Sequence, residues 1–386
     1  MLQSFLYLVY NSSNYLLKQC LTRLKGAVFV NKKVTIRDVA AKAGVSISSV
    51  HFALSGKAGV SDETREMIRR TAAEMEYQPN ALASSLKRSM QRVAILLPGE
   101  EGDNQYYYPP MWRGVHDYLS KVNMNLEFIE MPFFEKNKSS ILAELKVLAD
   151  KREINGILTV GHIDDVSAAE DWQKICEQNI PVVCINSENK LCDYLCCIQP
   201  EYDVIGRTMA ELITSRIPEY GSIFLCAGNP KWDAHALIVK GFEDYLSENN
   251  CPNLVYRDYS WTMNKLNYIN IFNKLSHPDV AACCSVYSQG TILLGQALEE
   301  SGKSSRVYSV GSDLSAITAD RLRRGVLNHV IQKNPYAQGY VGIRTLVEYL
   351  ISGKIPEQKR VYVGSEVVLR SNLVMYEHEK YRYLFL

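Results

Sequence analysis

From residue 93 to the C-terminus the chain alternates between short apolar runs and longer mixed segments, and this alternation limits the fold more than any other feature. The apolar runs at 93–98, 126–131, 156–160, 181–186, 222–227, 280–286 and 307–311 read as strands. Between them lie stretches of helical length, among them 111–122, 141–151, 205–215, 237–247 and 291–300. Strands that alternate with helices form parallel, doubly wound sheets. About ten such units exceed one ordinary sheet, so two similar lobes are expected. Ligands of such sheets bind beyond the carboxyl ends of the strands, here in a cleft between the lobes.

Ahead of this region the periodicity changes. The stretch VTIRDVAAKAGVSISSVHFALSG begins at Val34. Thr35 can cap a helix in which Asp38 completes an approximate capping box, and Ile36, Val39, Ala40 and Ala43 share one face at helical spacing. Gly44 breaks that helix, and Ser46 caps a second one with Val50, Ala53 and Leu54 on its inner side. Two short helices joined by a tight Gly turn make a helix-turn-helix, whose second helix can enter the major groove. Ser61 opens a third helix, in which Ile68, Ala72 and Met75 close a small core, and Pro79 stops it near Tyr77.

A helix pair with a Gly turn also occurs in many unrelated cores. The order A-x-x-A-G-V-S, V-S-D-x-T-R and Y-x-P-N-A-L-A-x-x-L, running from Ala40 to Leu86, is far more specific. It resembles the LacI-type (lactose-repressor) family of transcription regulators, over residues 33 to about 373 with the sensor-like remainder. The resemblance implies an N-terminal all-α helix-turn-helix domain at 33–78 and a hinge helix with linker at 79–92. It further implies an α/β two-lobed periplasmic-binding-protein-like sensor at 93–386, with chain crossings near 200–204, 314–326 and 352–360. A homodimer on a near-palindromic double-stranded DNA operator follows from it, as do a sugar-like small-molecule effector, a cytoplasmic setting, no membrane partner and no cofactor.

On the second helix, Ile47, Ser48 and Phe52 fall on the base-reading positions of the family motif, with His51 exposed beside them. Most relatives have Ser-Arg where this chain has His51-Phe52. An Arg can grip guanine bidentately, whereas Phe offers apolar contact, for example to a thymine methyl. An operator that differs from the usual family consensus is therefore expected; a core role is the competing reading of Phe52. Thr35, Ser46, Ser49, Ser61 and Thr64 stand at or near helix starts, suited either to phosphate contacts or to plain capping. Residues 80–87 form a helix too short to be stable alone. In the family this hinge folds on DNA. Asn80 is placed among its DNA contacts, and Leu86 at the position of a minor-groove wedge, against the alternative of linker packing.

For the effector, Tyr107 and Tyr108 match an aromatic pair that packs on the ligand in relatives, and Asn186 stands where Asp is common. Asp313 matches the Asp of the family's G-F-D signature, Gln332 follows the strand LNHVI, and Trp232 is either a stacking platform or ordinary packing. Two departures stand out: Ile238 replaces a usual Arg, and Gly290 a usual Asp. Loss of a charged donor and a charged acceptor weakens ordinary sugar-hydroxyl recognition, which points to an unusual ligand or to other gripping side chains.

The net charge of +1 conceals an uneven spread, +5 over residues 32–92, −7 over 93–386 and +3 over the first 31. A basic head on an acidic body fits a phosphate-binding module joined to a neutral-ligand sensor. The ten cysteines form no CxxC pair and read as reduced core residues, with a redox role for Cys192, Cys196 and Cys197 as the minor alternative. Residues 1–31 lie outside the resemblance and read either as an appendage or as an upstream start. A transport receptor would share the sensor but not the basic head, and lacks support from a signal peptide. The sequence contains no G-x-G-x-x-G, P-loop, G-x-S-x-G or H-E-x-x-H, so an enzyme is not expected.

Overall fold

The computed structural model describes residues 34–54, 59–75, 77, 90–122, 126–161 and 169–377. The chain divides into two compact units, Met1–Ala83 and Ser84–Leu386. The expectations for residues 1–31, Asn80 and Leu86 lie outside the described residues.

In the first unit, α1 (Ile36–Ala43), α2 (Ile47–Leu54) and α3 (Asp62–Glu74) surround a core of Val39, Val50, Ala53 and Ile68, all fully buried. Thr35 closes the capping box: its Oγ1 accepts from the Asp38 N–H, and its own N–H donates to Asp38 Oδ2 at 2.8 Å. Gly44 ends α1 at φ +65°, a left-handed conformation that glycine adopts without a Cβ clash. Arg65 reaches back from α3, its Nη1 donating to the Phe52 and Ala53 carbonyls at the end of α2 at 2.9 and 3.2 Å.

The second unit has two lobes. Lobe 1 begins with β1 (Gln91–Leu96), α4 (Tyr108–Leu119), β2 (Leu126–Glu130), α5 (Lys138–Asp150), β3 (Gly156–Val160), α6 (Ala169–Glu177), β4 (Val182–Ile185) and β5 (Cys196–Gln199). The chain then crosses into lobe 2, built from α7 (Tyr202–Thr214), β6 (Ser222–Cys226), α8 (Asp233–Glu248), β7 (Val255–Asp258), α9 (Lys265–Leu275), β8 (Val280–Ser285), α10 (Ser288–Glu300), β9 (Tyr308–Ser312), α11 (Ala316–Arg324) and β10 (His329–Gln332). It returns to lobe 1 for α12 (Pro335–Ser352) and β11 (Arg360–Tyr362), then ends in lobe 2 with β12 (Glu366–Val368) and the single turn α13 (Val374–Glu377). The sheet orders are β11-β5-β4-β3-β1-β2 and β12-β10-β9-β8-β6-β7. Every pairing is parallel except β10 with β12.

The first crossing falls where expected. The other two are corrected: the chain leaves lobe 2 at 333–334, after β10, and leaves lobe 1 at 363–365. The segment 314–326 stays in lobe 2 because α11 packs under β10, which pairs with β9. Each lobe also contains a helix pair in contact through backbone. A Cβ at Gly206 of α7 would lie 2.0 Å from the Ile238 carbonyl oxygen, and one at Gly241 of α8 2.1 Å from that of Asp203. Gly114 on α4 and Gly339 on α12 repeat the arrangement in lobe 1, each 2.1 Å from a carbonyl oxygen of the facing helix.

Cys176 and Cys192 are joined in a disulfide, with their Cα atoms 5.8 Å apart, which the expectation of reduced cysteines did not foresee. Among the described residues the other seven cysteines are free, all but Cys251 being buried. Burial pushes the Cys184 thiol up to about 12, so it is a packed, inert group.

Candidate functional site

Two surfaces carry the sequence-derived candidates. On the head, Ile47 is 45% exposed and Ser48 is also exposed at the start of α2. Ser46 Oγ accepts from the Ser49 N–H at 3.0 Å, and Ser61 Oγ from the Thr64 N–H at 3.3 Å, so both serines cap their helices. Phe52 is half-buried, with its ring 3.1 Å from where a Gly59 Cβ would stand. That ring packs over the approach to α3, so Ile47 and Ser48 are the better-exposed members of the predicted reading set.

In the second unit, a cavity of about 510 Å³ opens between the carboxyl ends of the two sheets. Tyr107, Tyr108, Asn186, Trp232 and Asp313 line it together, although 206 residues separate the first from the last. Gln332 does not. Its Oε1 accepts from the Leu314 N–H at 2.9 Å and it faces a different hollow, while the next residue, Lys333, lines the cleft. The correction follows from alternation: one step along a strand end turns the side chain to the opposite face.

The floor is a charged pair. Lys333 Nζ stands 3.0 Å from Asp313 Oδ2 and donates to the Val286 carbonyl at 3.1 Å, with both residues almost fully buried. Burial raises the Asp313 carboxyl pKa, and the adjacent ammonium opposes that rise. Asp313 Oδ1 has no hydrogen-bond partner and is itself buried beneath the cavity floor. Asp313 and Asn186, at matching strand ends of the two lobes, both have φ +67°, a region short polar side chains tolerate.

From Lys333 a hydrogen-bond chain crosses back to lobe 1. Gln338 Nε2 donates to the Lys333 carbonyl at 2.8 Å and to Tyr107 Oη at 3.1 Å, and Tyr107 donates to Asn186 Oδ1 at 2.9 Å. Tyr202, just past the first crossing, donates to the Asn186 backbone carbonyl at 2.5 Å, with its Oη also 3.0 Å from the same Asn186 side-chain oxygen. Burial holds the Tyr107 and Tyr202 hydroxyls well above the usual phenol range, so they remain donors.

The lobe 2 wall is aromatic. Trp232 lies 5.0 Å from Trp261 and 5.1 Å from His235 by ring centroids, and His235 lies 5.3 Å from Tyr287. His235 Nδ1 accepts from the Asn229 N–H at 3.0 Å, which leaves the ring proton on Nε2. Two contacts bridge the lobes near the mouth: Lys190 to Asp233 at 2.8 Å, and Gln289 Nε2 to the Asp103 carbonyl at 3.1 Å. The two departures are also explained in structural terms. Ile238 is fully buried in the lobe 2 core, and a Cβ at Gly290 would meet the Tyr287 ring at 2.6 Å. Tyr287 thus occupies the space an acidic side chain would need.

Sequence reasoning missed Lys333, His235, Tyr287 and Trp261. A lysine two residues past an apolar strand was a weak available signal, since a strand of this fold directs such positions to the cleft.

Comparison with known proteins bears on both surfaces. The profile described as the periplasmic binding protein domain matches residues 101–355, and that described as bacterial regulatory proteins of the lacI family matches residues 35–80. The chain belongs to the periplasmic-binding-protein domain family and carries a LacI-family helix-turn-helix domain at its head. Catabolite control protein A of Staphylococcus xylosus is 23% identical over 332 residues, covering 84% of this chain and 94% of the relative. The HTH-type transcriptional regulator MalR of Streptococcus pneumoniae is 37% identical over 91 residues, covering 23% of this chain and 28% of that protein. Among solved structures, an ABC transporter periplasmic solute binding protein from Actinobacillus succinogenes with bound D-allose superposes with TM-score 0.63 at 15% identity, covering 74% and 99% of the two chains. GanP, a glucose-galactose binding protein from Geobacillus stearothermophilus, gives 0.61 at 18% identity, with coverage of 74% and 99%. At these identities the structural likeness speaks for the fold. With that head joined to a periplasmic-binding-protein-type sensor, the chain is a DNA-binding transcriptional regulator. Among the described residues no helix is long and apolar enough to cross a membrane.

Proposed function

We propose that this LacI-family regulator binds a near-palindromic operator as a homodimer and releases or engages it when a sugar-like effector closes the interlobe cleft. The observation that carries this reading is one chain that joins an exposed, well-cored α2 to a cleft whose floor holds a partnerless buried acceptor. Ile47 and Ser48 read bases, Thr35, Ser46, Ser49 and Ser61 meet phosphates, and Asp313, Asn186, Tyr107, Tyr108 and Trp232 meet the effector. Two-fold symmetry of the dimer dictates the inverted repeat. Effector closure and operator affinity are then linked, each changing the other by the same factor.

Selection of bound sequences from a random duplex pool at fixed salt tests the reading. The expected result is an enriched inverted repeat whose retention changes when the cleft is filled. Ile47→Ala is expected to weaken that site by about tenfold, the scale of one lost base contact, while non-specific binding stays unchanged. Equal loss on specific and random DNA would place Ile47 outside the reading surface. Failure to enrich any sequence would leave a solute receptor as the better account.

A further inference from the structure

One wall of the cleft is tied to a neighbouring helix by a pair of cysteines. Residues 186–195 run without regular structure between β4 and β5. Asn186, Ser187, Glu188 and Lys190 of this loop line the cleft, and Lys190 Nζ makes the bridge to Asp233 of lobe 2 at 2.8 Å. Cys192 stands two residues further on, its sulfur bonded to that of Cys176 in the last turn of α6. The bond spans a sequence separation of 16 residues, with β4 inside it. The Cα atoms lie 5.8 Å apart, within the usual range for a disulfide, so the bond can form and open without either backbone segment moving to reach the other.

Hydrogen bonds fix the two ends of the loop. Ser187 Oγ accepts from the Gly161 N–H at 3.1 Å, and the Leu195 N–H donates to the Val182 carbonyl at 2.7 Å. Between these ends the covalent bond is the strongest restraint. Arg360 meets Glu188 at 2.5 Å and Lys359 meets Asp193 at 2.8 Å, but Arg360 is 55% exposed and Asp193 95%, and exposed ion pairs hold weakly at physiological salt. Cys176 is half-buried and Cys192 is 7% exposed, so an exchanging sulfur compound meets Cys176 first. Cys184, Cys196 and Cys197 of the same sheet are fully buried, and burial pushes the Cys196 thiol up to about 11, which leaves them unreactive beside the pair.

We propose that Cys176 and Cys192 are a reversible thiol–disulfide switch that sets how firmly the 186–195 wall, and with it the Lys190–Asp233 bridge, is held. The oxidant is a low-molecular-weight disulfide. The Cys176 thiolate attacks one of its sulfurs, the small disulfide bond breaks, and one small thiolate leaves with the proton that Cys176 gave up. The Cys192 thiolate then attacks Cys176 Sγ of the mixed disulfide and expels the second small thiolate, which takes the Cys192 proton. Two electrons thus pass from the cysteine pair to the small disulfide, which ends as two thiols. An excess of small thiol runs the same steps in reverse. As a control on lobe closure this rests on the reading of the cleft as the effector site, whereas the exchange chemistry is independent of that reading.

The test is made on the purified full chain with neither DNA nor a cleft ligand present, so its failure is distinct from failure of the regulator reading. The chain is equilibrated with oxidised glutathione or with excess reduced glutathione, then mapped by alkylation and by hydrogen–deuterium exchange. Cys176 and Cys192 should be protected from alkylation together in the first buffer and react in the second without denaturant. On reduction the amides of 188–194 should exchange about tenfold faster, and those around Asp233 should also gain as the bridge is released. Cys192→Ser should show the fast pattern in both buffers, and Cys251→Ser, which removes a free thiol of lobe 2, should respond as wild type does. If Cys192→Ser does not fold, wild type reduced and then alkylated serves in its place. Equal exchange of 188–194 in the two buffers overturns the proposal. So does a pair that opens only in denaturant, or one that stays open to alkylation in oxidised glutathione. Faster exchange in the loop with none around Asp233 would overturn the link to lobe closure.

Discussion

Replacing Lys333 with methionine is expected to destabilise the sensor unit by about 3–5 kcal/mol, because removal of one partner strands the other as an uncompensated buried charge. The surroundings make this a severe case. Asp313 is 2% exposed, its Oδ1 already lacks a partner, and its Oδ2 would keep only the Ser312 hydroxyl at 3.3 Å. The loss should depend on pH. Burial already raises the Asp313 pKa, and without the ammonium that opposes it the folded-state value rises further above the unfolded one. A raised carboxylate costs stability above its folded pKa and is relieved by protonation below it, so the deficit should shrink as pH falls. Urea unfolding of wild type and Lys333→Met at pH 8 and pH 5 measures both effects. Lys190→Met provides the contrast, since that pair is 61% and 36% exposed and its loss should cost less than about 1 kcal/mol. A Lys333→Met deficit no larger than that of Lys190→Met would mean that the pair is more hydrated than its burial indicates.

The second large effect concerns Gly206. Gly206→Ala should lower stability by about 3 kcal/mol and the melting temperature by about 6–10 °C. The added methyl would lie 2.0 Å from the Ile238 carbonyl oxygen and 2.6 Å from the Phe242 nitrogen. Neither atom can rotate away, so α7 and α8 must separate, which opens the packing of Ile238 and Phe242 beneath them. Gly364→Ala is the control: nothing lies within 4 Å of a Cβ there, and a change within about 0.5 kcal/mol is expected. Calorimetry on the three proteins decides it. Equal melting temperatures would show that the helix pair yields more readily than close-packed backbone should.

Much of this architecture was legible in the sequence because apolar runs such as 156–160 and 222–226 are long enough to read as buried central strands. Strands at or beside the sheet edges were less so. β11, with its exposed Arg360 and Tyr362, offers no alternation that local reading can detect. The later crossings were misplaced because α11, a polar helix ending in Arg323 and Arg324, resembles a connection more than a packed element. The head read well since Thr35, Gly44, Ser46 and Ser61 each carry a local capping or turn signal. In the cleft, Asp313, Asn186 and the tyrosine pair were reached through motif positions. Lys333 was not, for a lysine is ordinarily a surface residue. Its burial depends on the β9–β10 register, in which Ser312 faces Ile331 and the two charged side chains emerge side by side just beyond the strands.

The late return of the chain to lobe 1 has a consequence for synthesis. By the time residue 332 has been made, lobe 2 has all of its strands except the short antiparallel β12. Lobe 1, although begun first, still lacks α12, whose Gly342 and Leu346 cover Leu158, Ile185 and Gly156, and also lacks its edge strand β11. The usual vectorial order, in which the N-terminal part matures first, is therefore inverted. The older lobe must wait on the ribosome with an uncovered apolar sheet until residues 335–362 have been made, and in that interval it is the part of the nascent chain most in need of a chaperone.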